Sequence, residues 1–127
     1  MDIAYHDQLE AAERFPGFKR MIVMDQPLGS AAITQGMGWI EPGAAILPHT
    51  HLVEESVTLL EGDVRILVGQ ETVEVRGRRA TFLAPANTVH AVRNIGDKPA
   101  LVCFAYPAVG VAAFPVNVEF YSGDQAS

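Results

Sequence analysis

From Phe18 onward, the chain is a succession of short segments rich in Val, Ile, Thr and Phe, separated by Gly, Pro, Asp and Asn. The separators recur at intervals of roughly ten residues, which is the spacing of an all-β sandwich or barrel. We therefore predict an all-β fold. The predicted strands cover residues 18–24, 31–40, 44–47, 56–60, 64–68, 71–75, 81–83, 89–94, 100–106 and 116–121.

Glycine-containing turns separate several of these segments. Glu61-Gly62-Asp63 and Gly69-Gln70 both lie between segments of alternating polarity. Because glycine takes the positive φ that tight hairpins need, both are predicted to be hairpins. Glu41-Pro42-Gly43 is predicted to be a turn in which proline presets φ.

The stretch before these segments has a different character. Residues 7–15, DQLEAAERF, carry Leu, Ala and Glu and end before Pro16-Gly17, which is a helix stop signal. We expect one short helix here. Residues 1–17 are then a lead-in, residues 18–121 the barrel, and residues 122–127 a tail.

Composition narrows the classes of function. A chain of 127 residues has the length of one domain, and its net charge of −6 argues against nucleic acid or an anionic membrane as partner. Its apolar runs are shorter than the roughly 20 residues that cross a bilayer as a helix. With one cysteine and no signal-like N-terminus, the expected location is the cytoplasm.

Three of the four histidines fall in two clusters, His49-Thr50-His51 and His90, and Glu55 follows the first cluster by four residues. His49, His51 and Glu55 can project to one face of extended chain, because side chains two residues apart share a face. Glu54 has the opposite parity and should face away. His90 lies in another predicted strand, which a barrel would bring close. Three imidazoles and a carboxylate suit Fe, Mn, Ni, Cu or Zn.

The first of these clusters lies in a longer pattern. The segment GAAILPHTHLVEESVTLLEG, from Gly43 to Gly62, carries the histidines His49 and His51, Glu55 four residues after the second of them, and a glycine at each end. This pattern resembles the first motif of the cupin superfamily, and in particular of its small single-domain members of the cupin 2 type.

A second segment resembles the second cupin motif. PANTVHAVRN places Pro85, His90 and Asn94 at the intervals of that family. The chain departs from the family at Arg79 and Asn87, where glycine is usual. Asparagine tolerates left-handed backbone geometry better than most residues, so the turn and the ligands should survive.

The resemblance implies a fold and a metal centre. The fold is a double-stranded β-helix, or jelly-roll barrel, of two sheets. One divalent transition metal ion would lie in its mouth, held by His49, His51, Glu55 and His90. Two candidate substrate contacts are Gln35, a polar residue in a predicted strand, and Tyr106, which has a hydroxyl group to place.

Three functions are compatible with this site. Four ligands leave two positions of an octahedral metal for a small oxygenated molecule, or for one oxygen and O₂. The first function is therefore a metalloenzyme acting on a hydroxy acid, keto acid or sugar acid, by dioxygenation or by isomerase or lyase chemistry. The second is a non-catalytic binding or sensor module, and the third is a structural or storage role.

The remaining expectation concerns assembly. Residues 18–24 and 116–121 are alternating segments outside the two motifs, with apolar faces that would stay partly exposed at a sheet edge. We expect them to pair across a two-fold axis in a homodimer.

Overall fold

A computed structural model describes residue 1 and residues 3–110 of the chain. Two 3₁₀ turns, His6–Gln8 and Gln26–Leu28, lie among its strands. In chain order the strands are β1 (Ala11–Phe15), β2 (Phe18–Met24), β3 (Thr34–Ile40), β4 (Ala45–His49), β5 (Glu55–Glu61), β6 (Val64–Val68), β7 (Glu71–Val75), β8 (Ala80–Ala84), β9 (His90–Asn94) and β10 (Ala100–Tyr106).

The strands form two antiparallel sheets. One has six strands in the order β1-β2-β3-β10-β5-β8, and the other has four in the order β4-β9-β6-β7. From β3 onward the chain passes repeatedly from one sheet to the other, staying in the same sheet only between β6 and β7. This architecture is a jelly-roll barrel, as predicted.

The core lies between the sheets. Alternate residues of β3, β5 and β10 are buried, as expected for sheets with one face on the core. Burying an aliphatic or aromatic side chain of this kind stabilises the fold by about 1.5–3 kcal/mol. The buried cluster draws on both sheets: Phe18, Ile40, Val57, Leu59, Val64, Ile66, Val92, Ala100, Val102, Phe104 and Tyr106.

The predicted helix over residues 7–15 is wrong. A 3₁₀ turn covers His6–Gln8, and Ala11–Phe15 is strand β1, which pairs with β2. The stretch is too short for helix propensity alone to stabilise a helix. The Pro16-Gly17 turn instead reverses the chain, so that β2 pairs with β1 as a hairpin. Gly17 has φ +77°, and its N–H donates to Glu13 Oε1. The sheet therefore begins at Ala11.

Two other predictions about local pairing need correction. Glu61-Gly62-Asp63 is a corner and not a hairpin, because β5 and β6 belong to different sheets. Phe18–Met24 is not a sheet edge, because β2 lies between β1 and β3. The hairpin at Gly69-Gln70 is confirmed by the pairing of β6 with β7.

The other elements lie at or close to their predicted bounds. Strands β2, β6, β7 and β10 have the predicted bounds. The turn at Glu41-Pro42-Gly43 is confirmed by the bond from the Ala44 N–H to the Glu41 carbonyl. Asn87 has φ +59°, the left-handed geometry expected at that position. The predicted strand at 116–121 and the tail at 122–127 lie outside the described residues.

Within the described residues, no helix is long and apolar enough to span a membrane.

Candidate metal centre

Four buried side chains meet at one end of the barrel. His49 is the last residue of β4, Glu55 is the first of β5, His90 is the first of β9, and His51 lies on the segment that joins β4 to β5. One ligand atom from each lies within 4.8 Å of the others, so the group could hold a metal ion.

Strand pairing places two of these histidines. His49 lies opposite His90 where β4 pairs with β9. The register shifts by one residue between Ile46 and His49, so β4 carries a β-bulge there. Because a bulge reverses which face the following residues occupy, Ile46 and His49 can both line the interior although they are three positions apart.

The shared-face argument from the sequence is therefore only partly right. It predicted a single extended segment, but β4 ends at His49 and Glu55 begins a strand of the opposite sheet. The chain crosses between the sheets and still brings His51 and Glu55 to within 3.7 Å, measured from Nε2 to Oε1. Glu54 is exposed, as expected, although it belongs to neither β4 nor β5.

Backbone carbonyls orient two of the imidazole rings. His49 Nδ1 lies 2.6 Å from the Leu47 carbonyl oxygen, and His90 Nδ1 lies 2.9 Å from that of Thr88. A carbonyl can only accept, so each Nδ1 carries the proton and donates it. In the neutral rings, Nε2 then presents a lone pair to the centre, which is the arrangement that metal-binding histidines adopt.

The Nε2 atoms converge on one another and on the carboxylate. His49 Nε2 lies 3.0 Å from His51 Nε2, and His90 Nε2 lies 2.9 Å from Glu55 Oε1. Two acceptors do not approach so closely unless a proton or a cation lies between them. A divalent cation would satisfy both contacts, because it binds lone pairs from all four groups.

Burial and neighbouring charge favour the unprotonated state of two of the ligands. Burial, with the nearby His90, lowers the pKa of His49 to about 4. Burial alone would raise the pKa of Glu55, but hydrogen bonds from His51 and His90 outweigh it and lower that pKa to about 2. Metal ligands must be unprotonated, so both groups are ready to bind at neutral pH.

The donor set therefore fits a transition metal. Imidazole nitrogen and carboxylate oxygen are ligands of the first-row divalent ions. His51 Nδ1 is buried and has no hydrogen-bond partner among the described residues. The His51 ring is instead held by packing, since its centroid lies 4.9 Å from that of Tyr106 in an edge-to-face contact.

A cavity of about 70 Å³ opens above these four residues. Apolar side chains, most of them from the core, form most of its wall, which suits a small organic ligand. Its lining consists of Arg14, Phe15, Phe18, Arg20, Ile46, His49, His51, Glu55, Val57, His90, Ala91, Val92, Phe104 and Tyr106.

The two candidate substrate contacts, Tyr106 and Gln35, differ in position relative to the cavity. Tyr106 is buried in the cavity wall, and its hydroxyl donates to Glu55. Burial and the Glu55 charge raise the pKa of Tyr106 well above its usual value. Gln35 is exposed on β3 and donates to Cys103 Sγ at 3.4 Å. Contrary to expectation, Gln35 is not a cavity residue, because its buried neighbour Thr34 has the parity that faces inward.

Sequence reasoning missed Arg14 and Arg20, which also line the cavity. One signal was available for Arg20: it shares strand parity with Phe18 and Ile22, so a charge interrupts the apolar face of β2. No comparable signal marked Arg14, because its segment was predicted to be a helix.

Comparison with solved structures finds similar folds. The polyketide cyclase RemF from Streptomyces resistomycificus superposes with a TM-score of 0.77 at 21% identity, covering 99% of this chain and 90% of that one. KdgF from Halomonas sp. gives 0.68 at 18% identity, covering 83% and 94%. Bacillus subtilis oxalate decarboxylase gives 0.73 at 24% identity, covering 83% of this chain and 29% of the other.

A comparison with curated proteins finds no match. The sequence profile described as "Cupin domain" matches residues 38–106, which is more than half of the chain and includes all four candidate ligands. Fold, motif and site geometry agree with that match, and the chain belongs to the cupin family.

Proposed function

We propose that this cupin binds one divalent transition metal ion through His49, His51, Glu55 and His90 and catalyses a reaction of a small hydroxy, keto or sugar acid. The observation that carries the proposal is the convergence of the four buried ligand atoms within 4.8 Å of one another. Two of the rings are held in the required orientation by backbone carbonyls.

A bound metal would supply Lewis acidity or a redox centre beside the substrate. Residues of the chain itself would shape the cavity and supply hydrogen bonds. The Phe15 and Phe104 side chains form part of the cavity wall, so they would limit the space around a bound substrate. The Tyr106 hydroxyl keeps its proton at neutral pH, since its pKa is raised, and donates it to Glu55. If Glu55 binds a metal ion, the same O–H would be redirected from the carboxylate to a substrate oxygen.

The similar structures support a metal-dependent reaction without defining it. Mn(II) centres are named for Bacillus subtilis oxalate decarboxylase, and RemF is a polyketide cyclase. This chain spans 29% of that decarboxylase, so its activity is not carried over. The metal remains Fe, Mn, Ni, Zn or Cu, and the reaction remains dioxygenation or isomerase or lyase chemistry.

The test of metal binding is elemental analysis of the purified protein, with three ligand variants and one matched control. We expect close to one transition ion per chain in the wild type and a sharp loss in E55Q, H51A and H90A. E54Q is the control, because Glu54 is the adjacent residue and is exposed. The proposal fails if no transition ion is found and added Mn²⁺, Fe²⁺, Ni²⁺, Cu²⁺ and Zn²⁺ do not bind.

One observation favours the non-catalytic alternative. Among the described lining residues, Glu55 is the sole acid, and it belongs to the ligand set. A separate carboxylate base is thus missing from that part of the cavity, whereas a binding module would need none. Turnover distinguishes an enzyme from a binding module. O₂ uptake with an acid substrate indicates an oxygenase, and conversion without O₂ indicates an isomerase or lyase. Tight binding without conversion indicates a binding module.

The proposal also includes a homodimer in the cytoplasm. Met37 and Cys103 are partly exposed and lie opposite each other on β3 and β10, on the side of the sheet away from the core cluster. Such apolar surface suits a two-fold interface. Cys103 is a free thiol, which suits a reducing compartment. A monomer mass in analytical ultracentrifugation at micromolar concentration would contradict the dimer.

A further inference from the structure

Two guanidinium groups line the cavity that contains the candidate metal centre. Arg14 belongs to β1 and Arg20 to β2, and both line the same cavity as the four candidate ligands. Among the described lining residues Glu55 is the sole acid, so the wall carries two positive charges against one negative charge. This is a local excess of positive charge in a chain whose net charge is −6.

A backbone irregularity directs Arg14 to the cavity. In the β1–β2 pair, Glu13 lies opposite Lys19 and Phe15 lies opposite Phe18, so Arg14 is the extra residue of a β-bulge. Successive residues of a regular strand face opposite sides, yet Arg14 and Phe15 both line the cavity. Bulges redirect side chains in this way beside functional sites.

Arg20 lies deeper than Arg14. It is half-buried, whereas Arg14 is exposed at the mouth. Burial and the adjacent Arg14 charge lower the pKa of Arg20, and the negative charge of Glu55 acts on it in the opposite direction. An arginine keeps its charge in such surroundings, so two cations face the cavity together. An anion bound in the cavity beside both groups would reduce their mutual repulsion.

We propose that Arg14 and Arg20 form a carboxylate-binding subsite, which holds a second carboxylate of the substrate while its oxygen-bearing head lies at the four-residue centre. This inference rests on the proposed function for the position of the head. It narrows the substrate class to small organic acids with two carboxylates. A guanidinium group matches the planar carboxylate with two parallel hydrogen bonds.

The subsite lies outside the part of the chain that matches the family. Arg14 and Arg20 precede residue 38, where that match begins. The β1–β2 hairpin thus adds charge selection to a barrel whose candidate ligands all come from later strands and the segment between them. In this proposal, Arg14 and Arg20 determine which acid binds, and the four-residue centre determines which reaction the acid undergoes.

The test compares ligands that differ by one charge. Tartronate, malate and 2-hydroxyglutarate share a 2-hydroxy acid head and carry a second carboxylate at increasing distance, and each has a terminal monoamide of nearly the same shape. Calorimetric titration of all six into metal-free and Zn²⁺-loaded protein measures the preference for the second carboxylate. We expect at least one diacid to bind about tenfold more tightly than its amide.

Three variants assign that preference. R20Q and R14Q should each reduce it several-fold. K19Q is the matched control, because Lys19 is the neighbour of Arg20 on β2, is exposed, and is absent from the cavity wall. R14Q changes an exposed residue and tests the subsite even if R20Q does not fold.

The outcomes separate the two proposals. Equal binding of every acid and amide in both forms, no binding of any probe, a preference unchanged in both R14Q and R20Q, or an equal loss in K19Q overturns the subsite. If metal binds but no preference is seen, the subsite fails and the metal centre stands. If the preference is seen in protein that takes up no metal, the subsite stands and the proposed function fails.

Discussion

Nε2 of His90 lies 2.9 Å from Oε1 of Glu55, although 35 residues separate them along the chain. The other nitrogen of the same ring lies against the Thr88 carbonyl, which fixes the plane and orientation of the imidazole. A divalent cation bound by this Nε2 and this carboxylate would join two distant segments of the folded chain, and the first prediction follows from that link.

Divalent metal should stabilise the fold. An ion present at about 100 times its Kd, and bound by the folded state alone, adds about 2.7 kcal/mol to the free energy of unfolding. Differential scanning calorimetry of metal-free protein with added Mn²⁺ or Zn²⁺ should show a rise in Tm. E55Q should show little or none, and E54Q should behave as the wild type. An equal rise in E55Q would place the ion elsewhere.

Removal of the Tyr106 hydroxyl should impair the reaction without removing the metal. Y106F loses a hydrogen-bond donor in the cavity but keeps the ring that packs against His51. If that hydroxyl stabilises charge on the substrate, turnover should fall about 100-fold, the usual effect of losing such a donor. Metal content should stay at the wild-type level, and turnover equal to that of the wild type would rule out this role.

Asp25 should stabilise the fold in a pH-dependent manner. One of its oxygens accepts from Gly110 N–H at 2.8 Å, from Gln26 N–H at 2.7 Å and from Thr34 Oγ1 at 3.2 Å. Burial acts to raise the pKa of Asp25, but the hydrogen bonds from Gly110 and Gln26 lower it overall. Because the folded-state pKa is lower than the unfolded one, the stabilisation is present above about pH 4 and is lost as pH falls through the folded pKa.

The measurement for Asp25 is urea unfolding of the wild type and D25N at pH 7 and pH 3. At pH 7, D25N should be less stable by about 1 kcal/mol. The difference should shrink at pH 3, where the wild-type carboxyl begins to be protonated. A difference that is the same at both pH values would contradict the contribution of charge.

The two glycines that flank the first motif should differ in their tolerance of alanine. Gly62 has φ +105°, and a Cβ added there would lie 2.8 Å from the backbone Cα of Ala100. Gly43 has φ +79°, with nothing within 4 Å of an added Cβ. G43A should cost about 1 kcal/mol of backbone strain. G62A adds a clash with backbone, so its total cost should be about 2–4 kcal/mol.

Chemical denaturation under identical conditions compares the two variants. Because the predicted difference comes from packing against Ala100, equal losses for G43A and G62A would show that backbone conformation alone matters at both positions.

Much of the fold and of the candidate site follows from local pattern. Alternating segments and the glycine and proline turns predicted most strands within a few residues. Apolar and polar residues alternate along the sequence in the same way as buried and exposed residues alternate along a strand. The motif spacing singled out His49, His51, Glu55 and His90, and the structure brings them together. Glu54 is exposed, as expected, but no continuous strand joins it to His51, so strand parity alone did not separate it from Glu55.

Tertiary structure decided what local pattern does not encode. Residues 7–15 favour helix by composition, but pairing with β2 makes Ala11–Phe15 a strand. The bulge at Arg14 depends on the register between those two strands, and the position of Gln35 outside the cavity depends on which face of β3 meets the core. Sequence order determined which residues could act together, whereas strand pairing and register, which depend on contacts between distant segments, determined which of them face the cavity.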